Sequence, residues 1–85
     1  MSKQQILGGV RTVLRDKLSI RQEVEPSTDL FADLELDSMK QLAMVVELEN
    51  HFLVCFEPGE EVGITTVGDV VAAVQNSMER DHAQT

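Results

Sequence analysis

Four consecutive residues, Leu36-Asp37-Ser38-Met39, stand where an irregular acidic stretch passes into a long segment of helical apolar period. A serine at such a junction can expose its hydroxyl beside the first backbone N–H groups of a helix. Those donors have no partners within the helix, and the positive end of the helix dipole reinforces them. The place therefore favours a phosphate on the serine oxygen. No motif joins Ser38 to a histidine and a third orienting group, so no base is at hand to activate it. This chemistry fits a serine modified by another enzyme, on a chain that carries the group and catalyses nothing. A plainer reading competes with it. Asp-Ser before an apolar run is an ordinary helix start, and Ser38 with Gln41 has the spacing of a capping box.

The other reactive side chains build no site. Cys55 is the single cysteine, so neither an intramolecular disulfide nor a cysteine metal centre can form. His51 and His82 read as surface residues without partner constellations. Asp33, Glu35 and Asp37 alternate like calcium ligands, but an EF-hand loop needs glycine at position six and glutamate at twelve. Counted from Asp33, those positions hold Ser38 and Met44. No metal site is expected beyond loose divalent-cation binding by this acidic loop.

Three helices must position Ser38. Ile6, Leu7, Val10, Val13, Leu14 and Leu18 recur at i, i+3, i+4 and i+7, which predicts a one-faced helix over residues 2–18. Gly8 and Gly9 weaken it by up to about 1 kcal/mol each relative to alanine. Residues 21–36 have no sustained period and contain Pro26, Ser27, Thr28 and Asp29. They read as a long loop anchored on the core by Leu30, Phe31, Leu34 and Leu36. A second helix over residues 38–52 is unusually apolar near its start, where Met39, Ala43 and Met44 widen the stripe of Leu42, Val45, Val46 and Leu48. Residues 53–63 are a second connection, broken by Pro58-Gly59, with Glu57, Glu60 and Glu61 as a solvated run and room for one helical turn. Thr66 and Asp69 have capping-box spacing ahead of the stripe Val67, Val70, Val71, Val74 and Met78, and residues 80–85 read as a frayed polar tail. The fold class is all-α: a small bundle of three main helices plus a short helix before the last.

Eighty-five residues, 42% apolar, suffice for one core. The expected organisation is one domain over residues 1–80 and a flexible tail over 81–85. Seven basic residues against fifteen acidic give a net charge of −8, which argues against nucleic acid and favours partners with basic surfaces. No segment has the length and hydropathy of a membrane span or signal peptide, so a cytoplasmic monomer is the expectation.

The stretch Phe31-Ala32-Asp33-Leu34-Glu35-Leu36-Asp37-Ser38-Met39 resembles the signature of the acyl carrier proteins, Phe-x-Asp-Leu-Gly-x-Asp-Ser-Leu/Met. The similarity continues through residues 46–52, Val54-x-Phe56-x-Pro58 and residues 64–70, so it covers nearly the whole chain. This resemblance implies that Ser38, with Asp37 beside it, is where 4′-phosphopantetheine from coenzyme A is attached by a separate Mg²⁺-dependent phosphopantetheinyl transferase. The thiol of the arm would hold acyl groups as thioesters for acyl-loading, condensing and other thioester-processing enzymes of fatty-acid, polyketide or specialised-lipid synthesis. An aminoacyl or peptidyl carrier of a nonribosomal pathway is the alternative within that class. An unmodified helical interaction module is the alternative outside it.

Two departures from the family pattern stand out. Glu35 replaces the signature glycine, so the turn before Asp37 lacks glycine's free access to positive φ. Many members also place acidic residues early on the second helix to meet basic partners. Here Lys40 and Ala43 hold such positions, and acid returns only at Glu47 and Glu49. The expected partner surface is Met39, Lys40, Ala43, Val46, Glu47 and Glu49, and the charge change favours a dedicated pathway over housekeeping fatty-acid synthesis.

Overall fold

The structure, a computed structural model, describes residues 1–57 and 59–83, leaving aside the side chains of residues 61 and 81–83. Its helices are α1 (Lys3–Leu18), α2 (Ser38–Phe52) and α3 (Val67–Ala83), with a short 3-10 helix, Glu60–Gly63, between the last two. The described residues form no strand beyond one isolated bridge between Asp29 and Thr66.

α1 starts one residue later than its apolar period implies, because Ser2 is its cap. The Gln5 N–H donates to Ser2 Oγ at 3.2 Å, and the Ser2 N–H donates to Gln5 Oε1 at 2.8 Å, a complete capping box. The helix ends at Ser19, whose φ of 58° turns the chain left-handed and lets the Ile20 N–H reach Leu14 O at 2.9 Å. Gly9 has a packing reason that its helix propensity does not reveal. A Cβ there would lie 2.5 Å from Cζ of Phe52, so the glycine lets α1 and α2 approach closely.

One core joins the three helices and the first loop. Ile6, Val10 and Leu14 of α1, Met44 and Leu48 of α2, and Val67, Val70 and Val74 of α3 are fully buried with Leu30. Replacing a leucine at such a position by alanine costs about 2–5 kcal/mol. Leu34 and Leu36 are buried as expected, but Phe31 is 40% exposed and is not a core anchor. The first loop is ordered by backbone contacts as well. Arg11 Nε donates to Val24 O at 2.7 Å, the Leu30 N–H donates to Thr65 O at 2.9 Å, and the Leu36 N–H donates to Leu30 O at 3.0 Å.

The second connection differs from its sequence reading. Glu57 and Glu60 are not simply solvated, because Arg80 reaches back to both, at 3.7 and 3.1 Å. Arg80 also donates to Cys55 O at 2.8 Å and to Oγ of the fully buried Ser77 at 3.3 Å. Arg80 is thus an interior residue of α3 that clamps the connection, and the helix continues to Ala83. Gly59 supplies a left-handed φ of 92° there, while Pro58 lies outside the described residues, as do Gln84 and Thr85. Among the described residues no helix is long and apolar enough to cross a membrane.

Candidate functional site

The start of α2 is built one residue away from the capping box that Ser38 and Gln41 suggest. Asp37 is the cap: its backbone is extended (φ −97°, ψ 179°), its Oδ1 accepts the Lys40 N–H at 2.8 Å, and its carbonyl accepts the Gln41 N–H at 2.9 Å. Ser38 is therefore the first helical residue. The difference matters chemically, because a capping serine spends its oxygen on the backbone and Ser38 does not. Its side chain is exposed and makes no hydrogen bond to the described residues. The N–H groups of Asp37, Ser38 and Met39 likewise find no partner there. Three successive donors and a free hydroxyl share one exposed helix end, which fits a phosphate on Ser38 Oγ. No acid or base among the described residues is hydrogen-bonded to that oxygen, so nothing in the site activates it as a nucleophile.

The turn feeding this helix carries strain. Glu35 adopts φ 56°, the left-handed conformation that a glycine would enter freely. Buried Leu34 and Leu36 flank Glu35 and hold the chain on the core, so packing imposes the conformation. Upstream, Asp29 Oδ1 accepts the N–H groups of Phe31 and Ala32 at 2.8 and 2.7 Å, and Asp33 Oδ2 accepts the Asp29 N–H at 2.8 Å. Asp33 and Asp37 thus serve the backbone, and no group of three potential metal ligands occurs among the described residues.

The residues expected to meet partners separate into two sets. Met39, Lys40, Ala43 and Val46 are all exposed, Met39 by 81% and Val46 by 52%, and Leu42 joins them at 56%. Met39, Leu42, Ala43 and Val46 follow helical spacing and form one apolar stripe running from Ser38 along α2, with no acidic side chain in the first turn. Glu47 instead borders a groove of about 540 Å³ against α1, lined also by Thr12, Lys17 and His51. Glu49 turns to the far side, where Oε2 accepts the Phe56 N–H at 2.9 Å. His51 packs edge-on against Phe52, with ring centroids 4.8 Å apart, and Cys55 is exposed. The His82 side chain lies outside the described residues.

Two features of the frame differ in how far the sequence signals them. The Ser2 capping box had a visible signal in Ser2-x-x-Gln5. The Arg80 clamp had none, because its partners Glu60 and Cys55 lie twenty and twenty-five residues away.

Comparison with known proteins shows the family of the chain. Residues 8–74 match the family model described as phosphopantetheine attachment site. The chain is 31% identical over 81 residues to a meromycolate extension acyl carrier protein of Mycolicibacterium aurum, covering 94% of this chain and 84% of that one. It is 32% identical over 79 residues to an acyl carrier protein of Exiguobacterium sibiricum, covering 92% of this chain and all of the other. A solved structure from Mycobacterium tuberculosis, assigned as an acyl carrier protein, superposes with a TM-score of 0.78 at 25% identity, over 84% of this chain and 96% of that one.

Proposed function

The chain belongs to the acyl carrier proteins of the phosphopantetheine attachment-site family, and from that premise we propose that Ser38 bears the family's covalent 4′-phosphopantetheine group. The observation that carries the assignment is the exposed, unbonded hydroxyl of Ser38 beside the free N–H groups of Asp37, Ser38 and Met39. The other serines lack this combination. Ser77 is fully buried, Ser2 Oγ caps α1, Ser19 stands at the negative end of α1, and Ser27 lies in a turn.

A separate Mg²⁺-dependent transferase modifies Ser38. The Ser38 oxygen attacks the phosphorus that bears the pantetheine arm of coenzyme A, a phosphoester forms as the pyrophosphate bond breaks, and 3′,5′-adenosine bisphosphate leaves. A base on the transferase takes the serine proton, since the described residues place none at that oxygen. A phosphodiester on Ser38 would lie at the positive end of α2, a contribution of about 0.3–1 kcal/mol at an exposed site. When bound, the arm supplies a thiol that holds acyl groups as thioesters. The chain contributes position, with Asp37 fixing the helix end, and recognition.

Domain organisation and partner choice extend the reading. One attachment domain over residues 1–80, followed by residues 81–85, works as a cytoplasmic monomer. The stripe of Met39, Ala43 and Val46 with Lys40, backed by Glu47 and Glu49, receives partner enzymes of a dedicated pathway such as specialised-lipid or polyketide assembly. Lys40 opposes the basic docking patches of general fatty-acid enzymes by placing a like charge against theirs. Lys40→Glu with Ala43→Glu should raise turnover by a generic fatty-acid synthase partner, chiefly through association rate at low salt. Equal docking by both proteins at low and high salt would move the recognition surface elsewhere.

Incubation with a broad-specificity transferase, coenzyme A and Mg²⁺ should add one phosphopantetheine mass, and Ser38→Ala should abolish the addition. Transfer to Ser19 or Ser27 would overturn the residue assignment, and absence of any transfer would leave an unmodified interaction module.

A further inference from the structure

Charge on this chain is segregated. Residues 11–21 hold four of the seven basic residues, Arg11, Arg15, Lys17 and Arg21, with Asp16 as their one acid, a net +3 against −11 for the remainder of the −8 chain. The fold gathers three of them: Arg11, Arg15 and Arg21 line an open surface pocket of about 240 Å³, with Ile20 and Val24 as its apolar part and Glu23 as its one carboxylate.

Two of these arginines have structural duties. Arg11 pins Val24 O through Nε at 2.7 Å. Arg15 lies in the last turn of α1, where a cation offsets the negative end of the helix dipole, and it pairs with Asp16 at 3.1 Å. Arg21 has no such duty. Glu23 and Glu25 stand two and four residues away, yet its guanidinium makes no hydrogen bond or ion pair with the described residues. A planar guanidinium left without a carboxylate, in a chain with more than twice as many acids as bases, is available to a carboxylate from outside.

We infer that this pocket, on α1 and the loop after it, is a second docking surface that takes a carboxylate-bearing segment of a partner protein. Glu23 and the negative end of α1 disfavour a dianionic phosphate here, whereas singly charged carboxylates with apolar stems suit Ile20 and Val24. The charge separation gives the contact a direction. An acidic patch is drawn to this face and repelled by the rest of the surface, which orients the partner as it approaches. The inference uses the carrier reading only in supposing a partner, and it does not depend on which residue bears the prosthetic group.

The test titrates the ¹⁵N-labelled full chain at low salt with an octaglutamate peptide, and separately with inorganic phosphate. The peptide should shift the amides of Arg15 and residues 20–24, the shifts should fade at high salt, and Arg21→Gln should weaken binding about fivefold while leaving the melting temperature unchanged. Absence of localised shifts would overturn the proposal, as would equal shifts from phosphate, which indicate a plain anion patch. A melting temperature lowered by Arg21→Gln would assign the residue a structural role instead. Shifts that grow with protein concentration alone would make the occupant a second copy of this chain and overturn it too.

Discussion

The starts of α2 and α3 are made of similar residues and finished in opposite ways. At α3 every early donor is satisfied. The Thr66 N–H goes to Asp69 Oδ2, the Val67 N–H to Thr28 O, the Gly68 N–H to Pro26 O, and the Asp69 N–H to Thr66 Oγ1. Asp69 Oδ2 also accepts from both the N–H and the hydroxyl of Thr65. At α2 the cap is Asp37, but the third helical residue is Lys40, which has no oxygen to return to the Asp37 N–H as Asp69 returns one to Thr66. The box stays open, and the Asp37, Ser38 and Met39 donors face outward. The third-position side chain, Asp69 at α3 and Lys40 at α2, decides whether the box closes, while the carbonyls of Thr28 and Pro26 take the next two donors at α3 and no described residue does so at α2, so the open end suits an anion.

Breaking the closed end should show the largest effect on the fold. Thr66→Ala removes the cap that serves Asp69 N–H and should cost about 1 kcal/mol, a fall in melting temperature of about 4–8 °C for a domain of this size. Asp69→Ala should cost more, since it strips acceptors from Thr65 and Thr66 together, and thermal unfolding of the two variants side by side checks the order.

The closed end should also respond to acid. Hydrogen bonds from the Thr65 and Thr66 N–H groups, then from the Thr65 hydroxyl, hold the Asp69 carboxyl below its ordinary value of 3.8. A carboxylate lowered in the folded state adds stability that is fully present above its unfolded pKa and is lost as pH falls through the folded one. Urea titrations from pH 7 down to strong acid should therefore show a steeper loss for the native chain than for Asp69→Asn. Parallel curves would contradict the closed-end account.

Smaller effects should mark the open end. Glu35→Gly relieves the left-handed strain at φ 56° and should stabilise the fold by up to about 1 kcal/mol, less the entropy glycine adds to the unfolded chain. Destabilisation by this change would mean that the glutamate side chain itself holds the turn. Ser38→Ala should shift the melting temperature least of all, by the equivalent of a few tenths of a kcal/mol, because Asp37 holds the cap. A loss near 1 kcal/mol would restore Ser38 to the capping role that its spacing with Gln41 suggests.

What the sequence disclosed follows from range. Thr66-x-x-Asp69 is a local motif with one register, and it closes as its spacing implies. Asp37 and Ser38 are adjacent and both able to cap, so their spacing with later residues does not choose between them. The extended backbone at Asp37 does. The apolar stripes of α1 and α3 were legible because burial follows the helical period. Phe31 is exposed where its apolar side chain suggests a core anchor, because a loop has no period to say which side faces inward. Arg80 looked like tail because its partners arrive through the tertiary fold. Ser38 could be singled out before the structure, but the state of the donors around it could not.

A phosphate on Ser38 would be received by the open donors at the start of α2. Amide ¹H–¹⁵N spectra of the chain before and after transfer of phosphopantetheine test it directly, with α3 as the internal control. On loading, downfield amide shifts should concentrate at Asp37, Ser38 and Met39, with Thr66, Val67, Gly68 and Asp69 unmoved. Loading confirmed by mass with the Ser38 and Met39 amides unshifted, or with equal shifts at both helix starts, would contradict it.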